Sequence, residues 1–371
     1  MSPAAVSRQS RDIPSLDGLR ALSIGIVILS HCWSSMPVAV RNIPLVPAIL
    51  SDGHLGVAVF FVISGYLITL LLLRELDASG TISLKRFYFR RSLRIFPAFY
   101  VFMAVMAILW AMGIIPEHWP SFLAAATYMR AYYRDAQGIF IAHTWSLSIE
   151  EQFYLAWPLI LLRLRRERAM LAALTTVIMM PLVRLAMYWL TPTLRGHEGY
   201  MIQGWIDTIM VGCLLALLKG DARWERCHRR YLNAWTASAL MALAFVVTPY
   251  VYSKLEGRIA GAYGLAVFYS IQPICIGAVL LYVVENSKSF AGKILNTALL
   301  RHIGVISYSL YLWQQLFTSP EMHLFPLGLL YLLIVAESSY WFIEQPALRL
   351  RSNLERRFRK LSTLSTTTTA R

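Results

Sequence analysis

Apolar residues dominate this chain in long uninterrupted runs, and the polar residues between them gather in short arginine-rich segments. A run of about 20 apolar residues is long enough to span a bilayer as a helix. The pattern predicts ten such spans, at about 17–36, 55–73, 95–113, 144–162, 169–190, 201–218, 231–251, 263–284, 303–319 and 326–343. With the N-terminus inside, the inner segments hold 28 of the 35 Lys and Arg, starting with Arg8 and Arg11. Cytoplasmic loops carry that excess, so the bias predicts ten crossings with both termini cytoplasmic. Residues 121–133 are also apolar, but short, and an eleventh crossing there would send RLRRER (163–168) outside. They are expected to form an interfacial or re-entrant piece on the outer side. The expected fold is an all-α, polytopic transmembrane helical bundle. It comprises one membrane domain over 1–343 and a basic, Ser/Thr-rich cytoplasmic tail over 344–371, whose end LSTLSTTTTAR reads as disordered.

Composition supports the membrane class: 57% of the 371 residues are hydrophobic and 15% charged, against about a quarter charged in soluble domains. The net charge of +15 is spread over the loops, so it reads as a topological signal and no nucleic-acid partner is expected. The N-terminal MSPAAVSRQSRD lacks the apolar core of a cleavable signal peptide, so the first span is expected to stay in the mature protein. Cys32, Cys213, Cys227 and Cys275 are scattered without metal-ligand spacing, and no metal site or disulfide framework is expected.

Several charged residues lie in or beside the apolar runs, where they are costly and point to function. Arg20 and His31 stand eleven residues apart in the first span, which places both on one helical face about 16 Å apart. Asp17 is spaced to pair with Arg20. Arg20 reads either as a snorkelling anchor or as part of an anion site, and His31 as an interfacial histidine or a proton acceptor. Before the third span, KRFYFRRSLRIFP carries Arg86, Arg90, Arg91 and Arg94 with no acidic residue closer than Glu75 and Asp77. As a helix it would crowd guanidinium groups that an anion relieves, bidentate phosphate above all, or that sit among lipid headgroups. In the fourth span Glu150 lies about two turns in, at a height matching His31, so a His31–Glu150 contact is open to it. Glu151 points elsewhere, toward the interface, and His143 reads as a solvated loop residue. Arg184 and Asp207 are placed to neutralise each other, and Glu337, Gln314 and Gln315 read as glue between helices. Ser64-Gly65 suits close packing, a kink or a cavity wall.

Taken in order, these segments resemble the integral-membrane acyltransferase 3 family across nearly the whole chain. IPSLDGLRALSIGIVILSH carries that family's Arg–ten residues–His signature at Arg20 and His31, and FYFRRSLRIFPAFY its Arg-x-x-Arg at Arg91 and Arg94. HTWSLSIEEQFYLAWPLILL is similar to its Trp-Ser-Leu-x-x-Glu motif, placing the Glu at Glu150, while GHLGVAVFFVISGYLIT, SYSLYLWQQ and FIEQPALRLR resemble three more. One departure stands in the ninth span, where Gln314 replaces a frequent His. The resemblance implies a plasma-membrane O-acyltransferase of about ten helices. It would take acyl groups, commonly acetyl, from cytoplasmic acyl-CoA to a hydroxyl of a cell-surface or exported glycan, or of a glycosylated metabolite such as a macrolide. It makes His31 the catalytic imidazole and Arg91 and Arg94 donor-binding residues. Combined with the reading of the residues themselves, Glu150 joins His31, and Arg20 and Arg90 join the donor site. No further domain is expected after residue 343. A proton-coupled transporter is the competing class; it has a use for the intramembrane His, Glu and Asp but none for the inner arginines, and no repeat halves are visible.

Overall fold

The computed structural model describes residues 13, 15–43, 46–50, 53–133 and 138–368; Arg8 and Arg11 lie outside them. Every element among the described residues is helical. The principal helices are α1 (Leu16–His31), α2 (His54–Ser79), α3 (Leu84–Ala111), α4 (Thr144–Arg163), α5 (Arg166–Leu190) and α6 (Ile202–Leu218). There follow α7 (Ala234–Lys254), α8 (Gly257–Glu285), α9 (Ser307–Thr318) and α10 (Leu327–Ser339), which runs on through a π-helical turn, Tyr340–Glu344, into α11 (Gln345–Thr368). Seven helical stretches are long and apolar enough to cross a membrane: α2, α3, α5, Glu198–Leu218, α7, α8 and Leu327–Arg356. Helices α1, α4 and α9 stand at predicted positions but are shorter or more charged.

Three expectations change. The third helix starts well before its predicted span at 95–113, because α3 begins at Leu84 and carries the arginines on its own first turns. The ninth predicted span is broken at Ile306, between a short helix Ala298–Val305 and α9. The Ser/Thr-rich end is helical as far as Thr368 rather than disordered. Residues 121–133 hold most of a short helix, Trp119–Ala126, and a 3-10 turn at Arg130–Tyr132, too short for a crossing.

The centre of the bundle is the pairing of α2 with α6. A Cβ on Gly65 would lie 2.0 Å from the carbonyl oxygen of Ile209, and one on Gly212 would lie 2.1 Å from that of Val62. Each glycine thus admits the other helix's backbone, the small-residue packing that holds helices together where water supplies no hydrophobic drive. Gly65→Leu should therefore separate α2 from α6, and the fraction of monodisperse protein in detergent should collapse; an unchanged elution profile would refute this contact. Nearby, Arg184 and Asp207 meet at 2.8 Å, with side-chain exposures of 0% and 3%. Arg184 also donates to the Leu265 carbonyl and the Ser270 hydroxyl, both at 2.7 Å. This satisfies most of a fork that would otherwise be too costly to bury.

Candidate active site

Helices α1, α2, α3, α4 and α9 enclose a cleft of about 800 Å³, its open mouth included. Its lining includes Arg20, Arg91 and Arg94, the group Glu150, Ser64 and Tyr154, and the pair Ser146 and Tyr311. Arg91 and Arg94 reach it together because three residues of helix bring side chains back to one face. Three guanidinium groups against one carboxyl make this lining cationic.

Each arginine is held differently. Arg20 Nη1 donates to Asp17 Oδ1 at 2.9 Å, the pairing their spacing predicts. The guanidinium of Arg91 lies 3.7 Å from the centre of the Tyr154 ring, and its Nε is buried without a hydrogen-bond partner. Arg94 stands among Arg20, Arg91 and Arg351, with Glu344 as its acidic neighbour. Arg90 faces away from the cleft. Its Nε donates to Glu355 Oε1 at 2.7 Å, tying α3 to α11, and Arg86 lies 3.9 Å from Glu75. The expected cluster of four unpaired cations is thus split. Adjacent positions on a helix diverge by about 100°, and a carboxylate 265 residues away occupies the face that Arg90 presents.

Glu150 sits in the cleft but not against His31. Its Oε1 accepts a 2.5 Å hydrogen bond from Ser64, whose Oγ in turn accepts one from Tyr154 Oη at 3.2 Å. Arg91 is its charged neighbour. Glu151, expected at the interface, has a buried Oε1 with no hydrogen-bond partner.

His31 closes α1 at the other end from Arg20 and is not part of the cleft lining. Its Nδ1 lies 2.8 Å from the carbonyl oxygen of Val27. A carbonyl only accepts, so Nδ1 carries the hydrogen and the neutral ring keeps its lone pair on Nε2. That nitrogen is the one a base uses.

His143 is the largest departure from expectation. It is 4% exposed, packed edge-on to Phe102 and Tyr311 at ring-centre distances of 5.7 and 5.3 Å. The apolar residues on both sides of HTWSL conceal it, because α4 starts inside the bundle and not at its surface.

Two further residues escaped the reading of the sequence. Tyr311 Oη donates to the His143 carbonyl at 2.8 Å and pairs with Ser146 Oγ at 2.6 Å. Glu344, 3% exposed, accepts from Ser309 Oγ and comes from a π-turn, a local widening frequent at functional sites. Its signal was the FIEQPALRLR segment, whose acid had been given no role. Gln314 is fully buried, with its amide against Gln315 at 3.3 Å, and His302 bonds Glu337 between helices. Among the described residues, no group of three His, Cys, Asp or Glu side chains is arranged to hold a metal ion.

The chain matches the family model of the acyltransferase 3 domain over residues 13–342. It is 30% identical over 378 residues to the peptidoglycan O-acetyltransferase OatA of Listeria monocytogenes, covering 92% of this chain and 56% of that protein. A putative O-acetyltransferase of Staphylococcus aureus is 28% identical over 369 residues, covering 91% of this chain and 58% of that one. The putative peptidoglycan O-acetyltransferase YrhL of Bacillus subtilis is 28% identical, covering 92% and 55%. The chain thus spans a little over half the length of these curated relatives. No solved structure matches it. With the family model covering nearly all of an all-helical chain that has seven membrane-length apolar helices, this protein belongs to the acyltransferase 3 family of membrane-embedded proteins.

Proposed function

We propose that this chain is an O-acyltransferase of the plasma membrane that moves an acyl group, acetyl by default, from cytoplasmic acyl-CoA to a hydroxyl of a cell-surface glycan. The observation that carries the reading is one cleft lined by Arg20, Arg91, Arg94, Glu150, Ser146 and Tyr311 together. The names of the relatives favour a peptidoglycan sugar as acceptor. The Lys and Arg bias favours ten crossings, cytoplasmic termini and an arginine end that meets the CoA pool.

In this reading Arg91 and Arg94 bind the CoA phosphates as bidentate, charge-assisted donors, and Arg20 adds charge beside them. The slender pantetheine arm follows the cleft past Glu150 toward Ser146 and Tyr311. His31 Nε2 takes the proton of the acceptor hydroxyl as that oxygen attacks the thioester carbon. Glu150, held by Ser64, balances the charge of Arg91 and so keeps the middle of the cleft passable to a neutral arm.

The test uses the purified full chain in detergent with acetyl-CoA and a soluble N-acetylglucosamine oligomer. Thiol release that depends on the oligomer, with acetyl appearing on the sugar, is the expected result. Solute uptake into proteoliposomes without any thiol release would instead make the protein a transporter.

A further inference from the structure

The cleft shares a packing residue with a cluster of aromatic rings. Phe61 belongs to the cleft lining and also stands edge-on to Trp145 and Trp205, at ring-centre distances of 6.3 and 5.5 Å. His54 stacks on Trp205 at 5.6 Å, with 12° between the ring planes. Tyr200 and Tyr269 complete the cluster, 5.6 and 6.3 Å from His54, and Tyr200 meets Trp145 edge-on at 5.4 Å. Trp205 Nε1 donates to the Gly199 carbonyl at 2.6 Å, which fastens the turn Glu198–Tyr200 to α6. His54, Trp145 and Trp205 all lie in the first turns of their helices, so the cluster forms where α2, α4 and α6 begin.

That is also the end at which α1 finishes with His31. A Cβ on Gly53, the residue before His54, would lie 3.9 Å from His31 Cε1, the ring carbon bonded to Nε2. Burial is graded across the cluster. Trp205 is 1% exposed and Trp145 8%, whereas Tyr200 is 38% exposed and His54 and Tyr269 are partly buried. The two indoles thus make a floor, and the other three rings a rim that stays open.

An open aromatic rim beside a base that deprotonates a hydroxyl selects its ligand by chemistry. The face of an aromatic ring is electron-rich, and the C–H bonds on one face of a pyranose are apolar and weakly positive. Stacked in this way, a sugar covers the ring and keeps the hydroxyls at its edge available for reaction. A flat apolar molecule would also stack, but would bring no hydroxyl to His31.

We propose that the rim formed by His54, Tyr200 and Tyr269 is the acceptor subsite, a platform on which a pyranose ring of the glycan stacks with an edge hydroxyl presented to His31 Nε2. This rests on the acyl-transfer reading above and adds to it where the acceptor sits. The arginine-lined cleft serves the donor, the rim serves the acceptor, and Phe61 packs between them.

Binding is read separately from transfer. The purified full chain in detergent, without acetyl-CoA, is titrated calorimetrically with the N-acetylglucosamine oligomer, beside Tyr200→Leu and Tyr200→Phe. Leucine keeps an apolar side chain but removes the aromatic face; phenylalanine keeps the face and removes the hydroxyl. Tyr200→Leu is expected to bind the oligomer about 10-fold more weakly, the loss of one aromatic contact, with acetyl-CoA affinity unchanged. In thiol-release kinetics that loss should fall on KM for the oligomer. Tyr200→Phe is expected to match wild type. Equal oligomer affinity in wild type and in folded Tyr200→Leu would overturn the platform. So would a loss in Tyr200→Phe as large as that in Tyr200→Leu, which would point to a hydroxyl contact instead of stacking. If Tyr200→Leu does not fold, Tyr269→Leu is judged by the same oligomer titration. A wild-type chain that binds the oligomer but releases no thiol would overturn the acyl-CoA reading and retain the sugar platform, whereas one that binds no oligomer would overturn the platform itself.

Discussion

His31→Gln is expected to leave acetyl-CoA binding intact and to lower transfer by about 10²–10⁴-fold, the range that general-base assistance supplies. The glutamine amide can donate to the Val27 carbonyl as Nδ1 does, so the helix end should survive. What it lacks is the basic lone pair that Nε2 offers. Because only the neutral ring accepts a proton, the wild-type rate should also fall as pH drops through the titration of His31. That acid limb should be missing from whatever activity the variant keeps. Thiol-release kinetics against pH, beside calorimetric binding of acetyl-CoA, read both effects. Full activity in the Gln variant would end the case for His31 as the base.

The second large effect is expected on the donor side. Arg91→Gln with Arg94→Gln removes two charge-assisted donors from one wall of the cleft. Such bonds contribute about 1.5–3 kcal/mol each, so the pair should weaken acetyl-CoA binding by on the order of 10²–10⁴-fold. Arg90→Gln is the internal control. It removes the same charge one residue away, but from a side chain engaged with Glu355 at 2.7 Å. Its expected effect is looser docking of α11, visible as faster proteolysis of the C-terminal segment, with donor affinity unchanged. Equal affinity in wild type and in the Arg91/Arg94 double variant would assign those arginines to the lipid headgroups.

Much of the fold was legible because its signals are local. Apolar runs of bilayer length marked where the helices lie, and helices occupy each of those positions. The three-residue spacing of Asp17 and Arg20 foretold their ion pair, and Arg184 and Asp207, opposite charges within apolar runs, were placed to neutralise each other and do so. Less legible were helix ends and joins. The third helix starts eleven residues before its apolar run because arginine is a good helix former and nothing in KRFYFRRSLR breaks a helix.

By itself, the sequence determined that this is an all-helical chain with membrane-length apolar helices, that Arg20 and His31 stand at opposite ends of one helix, and that Arg91 and Arg94 share a face. Hydrophobicity and the 3.6-residue period are properties of a single segment, so no neighbour is needed to read them. Only the tertiary structure decided the partners. Ser64, 86 residues from Glu150, holds that carboxylate where His31 had been the candidate. Glu355 holds Arg90 outside the cleft lining, and His143 turns from a solvated loop residue into a buried ring packed on Tyr311. Which polar group meets which depends on how helices distant in sequence rotate and pack, and in this bundle that is set by backbone approaches such as those at Gly65 and Gly212.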